Sequence, residues 1–446
     1  MTKAKADGVL LLILGSLVFV LLGSVLESAS PATMGDFKVM YFPARCLLEH
    51  GDPYKAADVL RIYRSGEGRF DESSGGRLMV PRSVYLPSAF SFTVPFALAP
   101  YRVAHIGWML ASFAILILSA FLVWDLASDY ATLLSAALAA FVIGNCEIIV
   151  TNGNVAGICV GLCVIAVWCF LKNRFVAIGV ISLAVSLSLK PHDAGFVWLY
   201  FALAGGRFRK CALATLAATI ALALAPVLWI SHVSPDWVEE LRSNMLAYSA
   251  PGDFNDQGPT SIRANKPSMI IDLQTAIALV DDNPKIYNST SYLVCGALVV
   301  GWCLTSFGVQ PSREITALAL ATIAPLTMLP VYHRECDAKL LLLTIPACAM
   351  LWSKRGKIGR IAMGFTFAGL LVTADLLWAI DVYILSHLHK PGNGFSGQLL
   401  VASQVLFAPM ILLAESFFFL WVYVRRQQGR SFGNADAAGA GLAIAD

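Results

Sequence analysis

The sequence predicts an all-α polytopic membrane protein of about twelve transmembrane helices, and three observations carry that prediction. Of 446 residues, 57% are hydrophobic and only 14% charged, whereas a soluble domain carries roughly 25% charged residues. Apolar runs of about 15–25 residues recur along the chain, and about 20 such residues are needed to cross a bilayer, with 17 a usual minimum. The short connectors between several of these runs are basic, as cytoplasmic loops are under the positive-inside rule. The length would hold two or three soluble domains, but the runs merge into one bundle. Residues 1–430 therefore read as a single integral membrane domain, followed by a flexible cytoplasmic tail at 431–446.

The first run, 9–26, follows Lys3 and Lys5. It is longer than a signal-peptide core of about 7–15 residues and no A-x-A-like site closes it, so it reads as a retained span. The further spans are expected at 103–124, 131–149, 155–171, 175–189, 193–205, 211–230, 291–308, 315–330, 338–352, 360–384 and 399–424. Several are short, as broken or tilted helices lining a cavity are. The basic connectors Lys172-Asn173-Arg174, Arg207-Phe208-Arg209-Lys210, the 353–357 turn with Arg360, and Arg425-Arg426 are assigned to the cytoplasm. An even number of spans separates each from the next, so the assignments agree, and the N-terminus falls inside.

Two long loops then lie outside, 27–102 and 231–290. Only one span fits between 86 and 124, so 87–100, with Pro87, Pro95 and Pro100, is expected to be a re-entrant or interfacial piece. The rest of the first loop carries amphipathic helical patches at 39–48 and 56–63 and a Gly/Ser/charge-rich tip at 65–77. The second loop, with Pro251, Asp253, Asn255, Asp256 and Pro259, reads as a surface loop or lid. The link at 125–130 carries Asp125 and Asp129 and no cation, which makes it the weakest joint of this topology.

Composition also excludes. A net charge of +3 without a basic block interleaved with aromatics gives no nucleic-acid surface. Most of the ten cysteines fall inside apolar runs and no C-x-x-C pair occurs, so they behave as small hydrophobes. His192, His387 and His389 are not at metal-ligand spacing, and Phe37 and Lys38 after Asp36 leave no D-x-D motif. No metal or other cofactor is expected. Membrane lipids are partners by composition alone.

The informative residues are charges in the wrong medium. Asp36 stands in Met34-Gly35-Asp36-Phe37, about ten residues after the first span, where a carboxylate can take a proton from an acceptor hydroxyl at the membrane surface. Lys190, His333, Arg334 and Lys339 are cations on the outer side. Either they snorkel to headgroups or they hold a phosphate at bilayer depth and stabilise its developing charge as a leaving group. Asn152-Gly153-Asn154 is either a turn or a source of amide hydrogen bonds to sugar hydroxyls. Asp375 and Glu415 sit inside spans, where a carboxylate is a functional hypothesis by default. Asp375 is placed to pair with an outer cation, and Glu415 lies close enough to the inner end to be structural.

The order of these features resembles glycosyltransferase family 87, polytopic enzymes of the GT-C fold. The resemblance is carried by Gly35-Asp36-Phe37, Tyr41, Ala44-Arg45, Gly51-Asp52-Pro53-Tyr54 and Tyr85-Leu86-Pro87. It continues through Asn152-Gly153-Asn154-Val155, Gly179, Leu189-Lys190-Pro191 and the stretch from His333 to Lys339, and it runs from about residue 9 to 425. The chain departs from the family where Gly153-Asn154-Val155-Ala156 replaces Gly-Gln-x-Asn, and where His333-Arg334-Glu335 replaces a His-Asp-Tyr type motif. The second departure leaves a carboxylate role open between Glu335 and Asp337.

The resemblance implies a GT-C-type bundle in the cell membrane, with its active site facing the extracytoplasmic side. It implies transfer of a hexosyl, expected to be mannosyl, group from a polyprenyl-phosphate sugar donor to a lipid or glycan acceptor. The reaction is an inverting single displacement with Asp36 as general base. Lys190, His333 and Arg334 are implied to bind the donor phosphate, and Tyr54, Asn152, Asn154 and Asp337 to bind substrate. An exposed Asp36 near the usual pKa of about 3.9 would be ionised at neutral pH. Lys190→Ala is expected to lower donor affinity without unfolding the protein. Two other readings are a secondary transporter or lipid-linked-sugar flippase without transferase activity, which calls for internal repeats and midplane charges, and a non-catalytic subunit of an envelope-assembly complex.

Overall fold

The computed structural model describes residues 3–29, 34–65, 82–251, 253, 255–258, 270–310, 312–377, 379–380 and 395–440. Among these the regular elements are helical, with a single strand-like pairing between Ile270 and Arg334. In chain order the helices are α1 (Lys3–Ala29), α2 (Gly35–Leu48), α3 (Ala56–Ser65), α4 (Phe90–Ala97), α5 (Tyr101–Ile143), α6 (Glu147–Asn152), α7 (Ala156–Lys172), α8 (Val176–Leu189) and α9 (Pro191–Leu203). They continue as α10 (Arg207–Val233), α11 (Trp237–Tyr248), α12 (Leu273–Ala278), α13 (Pro284–Ser306), α14 (Arg313–Thr327), α15 (Ile345–Ser353), α16 (Lys357–Val372) and α17 (Phe395–Ala440). Short 3₁₀ segments at Pro87–Ala89 and Asp337–Thr344 lead into α4 and α15.

Five helical stretches among the described residues are long and apolar enough to cross a membrane: Lys3–Ala29, Tyr101–Asn152, Arg207–Val233, Pro284–Ser306 and Val405–Gln428. On α10 the exposed Leu213, Ile220, Leu224 and Leu228 make an apolar stripe, and on α1 Leu10, Leu14, Leu17, Leu21 and Val25 do the same. Such stripes suit lipid rather than water. Helices α7 and α8 are shorter, and α7 is buried along nearly its whole length. It forms the middle of the bundle.

The joint at 125–130 resolves into a kink. Helix α5 is continuous except at Ala131, where φ is −151° and ψ 82°. Its two halves run in opposite directions, as their neighbours on α1 show. Gly8 lies against Trp124 and Gly23 against Phe113, so α1 is antiparallel to the first half. Gly15 lies against Ala140 of the second half and Gly23 against Val150 of α6 beyond it, so α1 runs parallel to this return path. The cation missing from the link comes from elsewhere: Lys172 pairs with Asp125 at 2.8 Å and Arg313 with Asp129 at 3.8 Å.

These pairs mark one end of the bundle, together with the backbone bonds Gly205 N–H to Val309 O (3.2 Å) and Gly308 N–H to Leu203 O (3.0 Å). The opposite end is tied by Met34 N–H to Thr151 O (2.8 Å), Ile271 N–H to His333 O (3.0 Å) and Leu273 N–H to Leu329 O (3.0 Å). The first loop caps this second end. On α3 the buried Val59, Ile62 and Tyr63 keep the i, i+3, i+4 spacing of one helix face. On α2 Phe37 packs on Trp108 at 4.7 Å and on Tyr101 at 6.0 Å. Such aromatic pairs contribute about 0.5–1.5 kcal/mol each beyond their burial, which locks α2 onto α5.

The 87–100 piece is the 3₁₀ turn plus the eight-residue α4, too short to span. Residues 66–81, including most of the tip expected at 65–77, and much of the second loop (252, 254 and 259–269) lie outside the described residues, as do His387 and His389. Of the tail expected at 431–446, residues 431–440 continue α17 and 441–446 are not described.

Candidate active site

Lys190 stands at a break made by its neighbour. Pro191 has no N–H and disfavours the helical region for the residue before it, so the chain leaves helical geometry at Lys190 (φ −141°, ψ 82°) between α8 and α9. The side chain turns into the bundle, where it is ion-paired with Asp337 and lies 3.4 Å from Asp193 one turn along α9. Burial works against its charge, but Asp193 and Asp337 outweigh that and raise the Lys190 pKa well above its ordinary value. Lys190 is a held cation rather than a snorkelling one.

The stretch from Tyr332 to Asp337 is extended and then turns, and the pairing of Ile270 and Ile271 with His333 and Arg334 fixes it. Asp337 Oδ2 accepts the Arg334 backbone N–H at 2.9 Å, and the Arg334 guanidinium donates to the Tyr332 hydroxyl. His333 is fully buried, with Nδ1 at 2.8 Å from the Val331 carbonyl and Nε2 at 3.2 Å from Asp193 Oδ1. Of the two carboxylates the sequence left open, Asp337 is the one that meets Lys190 and the Arg334 backbone. Glu335 is buried, and burial pushes its pKa up to about 8, with Arg334 and Lys339 drawing it down and Asp375 adding to the rise.

Asp36 occupies the first turn of α2, where the helix dipole favours a carboxylate. Asn154 Nδ2 donates to Asp36 Oδ2 at 2.6 Å, and Asn154 Oδ1 accepts the Ala156 N–H at 2.8 Å. This contact depends on Gly153, whose φ is +65° and whose missing Cβ would come within 2.5 Å of Met34 Sδ and 2.7 Å of Phe37 Cβ. The Asn-Gly turn therefore also supplies an amide to the carboxylate. Asp36 is half-buried rather than exposed. Burial raises its pKa above 3.8, while Arg334, Asn154 and Lys190 draw it back down and Asp337 adds to the rise. That corrects the expectation of an exposed acid near its usual value.

Asp36, Asn154, Lys190, His333, Arg334 and Asp337 thus meet at one end of the bundle, from four separate segments. Two expected substrate residues stand apart. Tyr54 is 1% exposed and committed to the loop, its hydroxyl donating to Tyr85 O at 2.8 Å and its carbonyl accepting from Asn244 at 2.9 Å. Asn152 ends α6 half-buried, two residues before Asn154, and it is Asn154 rather than Asn152 that bonds Asp36. Sequence reasoning missed Asp193, Tyr332 and Tyr85, the last within electrostatic reach of Asp36 and Lys190. Asp193 was legible as the residue three after Lys190, on the same helical face.

Folding also assembles what spacing hid. His192, Asp193 and His333 bring their ligand atoms within 4.8 Å of one another, a geometry able to hold a metal ion. Away from the cluster, Asp375 pairs with Lys339 at 2.6 Å and accepts the Ile148 N–H at 2.8 Å, anchoring the start of α6 and so the segment that carries Asn154. Glu415 is fully buried beside Gly369.

Chemically, the cluster offers a carboxylate base next to fixed cations, the requirement for transfer from a phosphate leaving group. No curated protein and no solved structure matches the chain. Residues 84–331 match the model of glycosyltransferase family 87. Asn154, Lys190 and Asp193 lie inside that segment, Asp36 before it and His333 to Asp337 just beyond it. Since the match covers more than half of the 446 residues and the chain carries helices able to cross a membrane, the protein belongs to glycosyltransferase family 87 and is a membrane glycosyltransferase.

Proposed function

We propose that this enzyme moves a hexosyl group, specifically mannosyl, from a polyprenyl-phosphate donor to a lipid or glycan acceptor. The reaction takes place at the extracytoplasmic face of the cell membrane, in a GT-C-type bundle of about twelve spans. The observation that carries this reading is the Asp36 carboxylate, bonded to Asn154 and held within electrostatic reach of Lys190 and Arg334. In one inverting displacement Asp36 takes the acceptor hydroxyl proton, that oxygen bonds the anomeric carbon, and the lipid phosphate leaves. A phosphate needs no general acid, only cations; we assign Lys190 and Arg334 to receive it, with His333, whose two ring nitrogens face Val331 O and Asp193, supporting the site from behind. The basic connectors support this orientation: Lys172 lies at the bundle end opposite Asp36, with the Arg207 to Lys210 turn beside it, and short basic loops favour the cytoplasm.

The test is Asp36→Asn in purified enzyme. Transfer from a polyprenyl-phosphate mannose should fall by about a hundred- to ten-thousand-fold, the usual contribution of a general base, while donor binding persists. Retained transfer would sink Asp36 as the base. Donor flipping across vesicles without any transfer would favour a flippase.

A further inference from the structure

We infer that His192, Asp193 and His333 form a binding site for one divalent transition-metal cation of the zinc class. Three observations carry this. The first is convergence. His333 Nε2 and His192 Nε2 approach the same oxygen, Asp193 Oδ1, at 3.2 and 3.7 Å. Ligands bound at about 2.0–2.2 Å around a tetrahedral centre stand roughly 3.3–3.5 Å apart, so one ion fits among them with small adjustments. The histidine rings already meet edge to face at 5.0 Å.

The second is an unresolved contact between acceptors. A carbonyl only accepts, so His333 Nδ1 must be the donor to Val331 O. That is the arrangement by which a backbone carbonyl orients a ligating histidine and leaves the Nε2 lone pair free. His333 Nε2 and both oxygens of Asp193 are buried without an aligned hydrogen bond. A lone pair facing a carboxylate oxygen is repulsive unless a cation lies between them. Two imidazoles and a carboxylate select a borderline ion such as Zn²⁺ over Mg²⁺ or Ca²⁺, which prefer all-oxygen sites. The side chain of His192 is 41% exposed, which leaves an entry path from the bundle end.

The third is charge, and it rests on the proposed donor. Around Asp36 the cations Lys190 and Arg334 face three carboxylates, Asp36, Asp193 and Asp337. With neutral histidines this leaves one negative charge in excess, a poor receptor for a phosphodiester. One divalent ion reverses the sign. Asp193 would then use Oδ1 for the ion and Oδ2 for Lys190, tying the metal to the lysine expected to meet the phosphate.

The experiment measures metal alone, with no sugar donor present. The full chain, purified in detergent with a histidine-free tag, is analysed for bound metals and titrated with Co²⁺, whose visible absorption reports tetrahedral coordination. About one equivalent of metal and a tetrahedral spectrum are expected. His192→Ala, at an exposed position the fold tolerates, should weaken Co²⁺ binding at least tenfold, and Asp193→Asn should do the same, at an unchanged melting temperature in the first case. Metal-free protein with no Co²⁺ spectrum, or equal binding by His192→Ala, would overturn the site in favour of a protonated His333 paired with Asp193. Because no transfer is assayed, loss of the Asp36 mechanism leaves this result standing, and the converse.

Discussion

At the first turn of α2, burial and charge act on Asp36 in opposite senses. Burial favours the protonated acid, while Arg334, the Asn154 amide and Lys190 favour the base. Burial wins, so kcat/KM should rise with pH through a midpoint above the ordinary 3.8. Asn154→Ala removes a group that lowers the pKa, so it should move that midpoint further up and reduce the rate at fixed pH; an unmoved profile would detach Asn154 from the base. The stability sign runs the other way. A carboxyl whose folded pKa lies above its unfolded value stabilises fully below the unfolded pKa and loses that contribution as pH rises through the folded value. At neutral pH, therefore, Asp36→Asn should melt at or above the wild-type temperature while losing transfer. Lys190 behaves differently. The sequence led us to expect Lys190→Ala to weaken donor binding alone, but it would strand Asp193 and Asp337, both almost fully buried, without their shared cation. Breaking such a buried pair costs about 3–5 kcal/mol, so this variant should melt well below wild type, read by thermal unfolding in detergent. Asp36 was legible in the sequence because a lone carboxylate beyond a span is conspicuous. Asp193 was legible only as a neighbour of Lys190 one turn along, and an acid at that spacing reads as an ordinary surface pair.

Elements place these residues through breaks as much as through helices. Pro191 interrupts α8 and α9 at Lys190, and the Asn-Gly turn after α6 brings Asn154 to Asp36. Gly153 is the tightest point of that turn. A Gly153→Ala methyl would meet Met34 and Phe37 and hold a positive φ in a residue that resists it, at a cost of about 1–3 kcal/mol. We expect a lower melting temperature and a reduced kcat even though the residue touches no substrate, because α2 must shift. Wild-type turnover in this variant would show that the α2 position is not critical. The α5 kink was only half legible. The sequence placed a reversal near 125–130 but offered no cation for it, since Lys172 and Arg313 arrive from helices remote in sequence.

Among the described residues, the candidate site and the Lys172 and Arg313 ion pairs lie at opposite ends of the bundle, and the apolar stripes of α1 and α10 face outward. Leu224→Arg, in the middle of the α10 stripe, should cost about 2.5–3.5 kcal/mol of membrane insertion, seen as lost membrane-integrated protein, whereas a substitution on a basic connector should not. Indifference of Leu224 to charge would remove α10 from the lipid surface. The sequence by itself determined the membrane class, the helical architecture and the family resemblance. Hydrophobicity and its interruption by proline, glycine and charge are local properties, readable one window at a time. Only the tertiary structure decided that Asp36, Asn154, Lys190 and the segment from His333 to Asp337 share one end. It also decided that Asp337 rather than Glu335 meets Lys190, that Tyr54 belongs to the loop's own packing, and that His333 lies against Asp193. Those outcomes depend on which helices become neighbours, and in a chain this uniformly apolar that choice rests on side-chain packing between distant segments rather than on any local pattern.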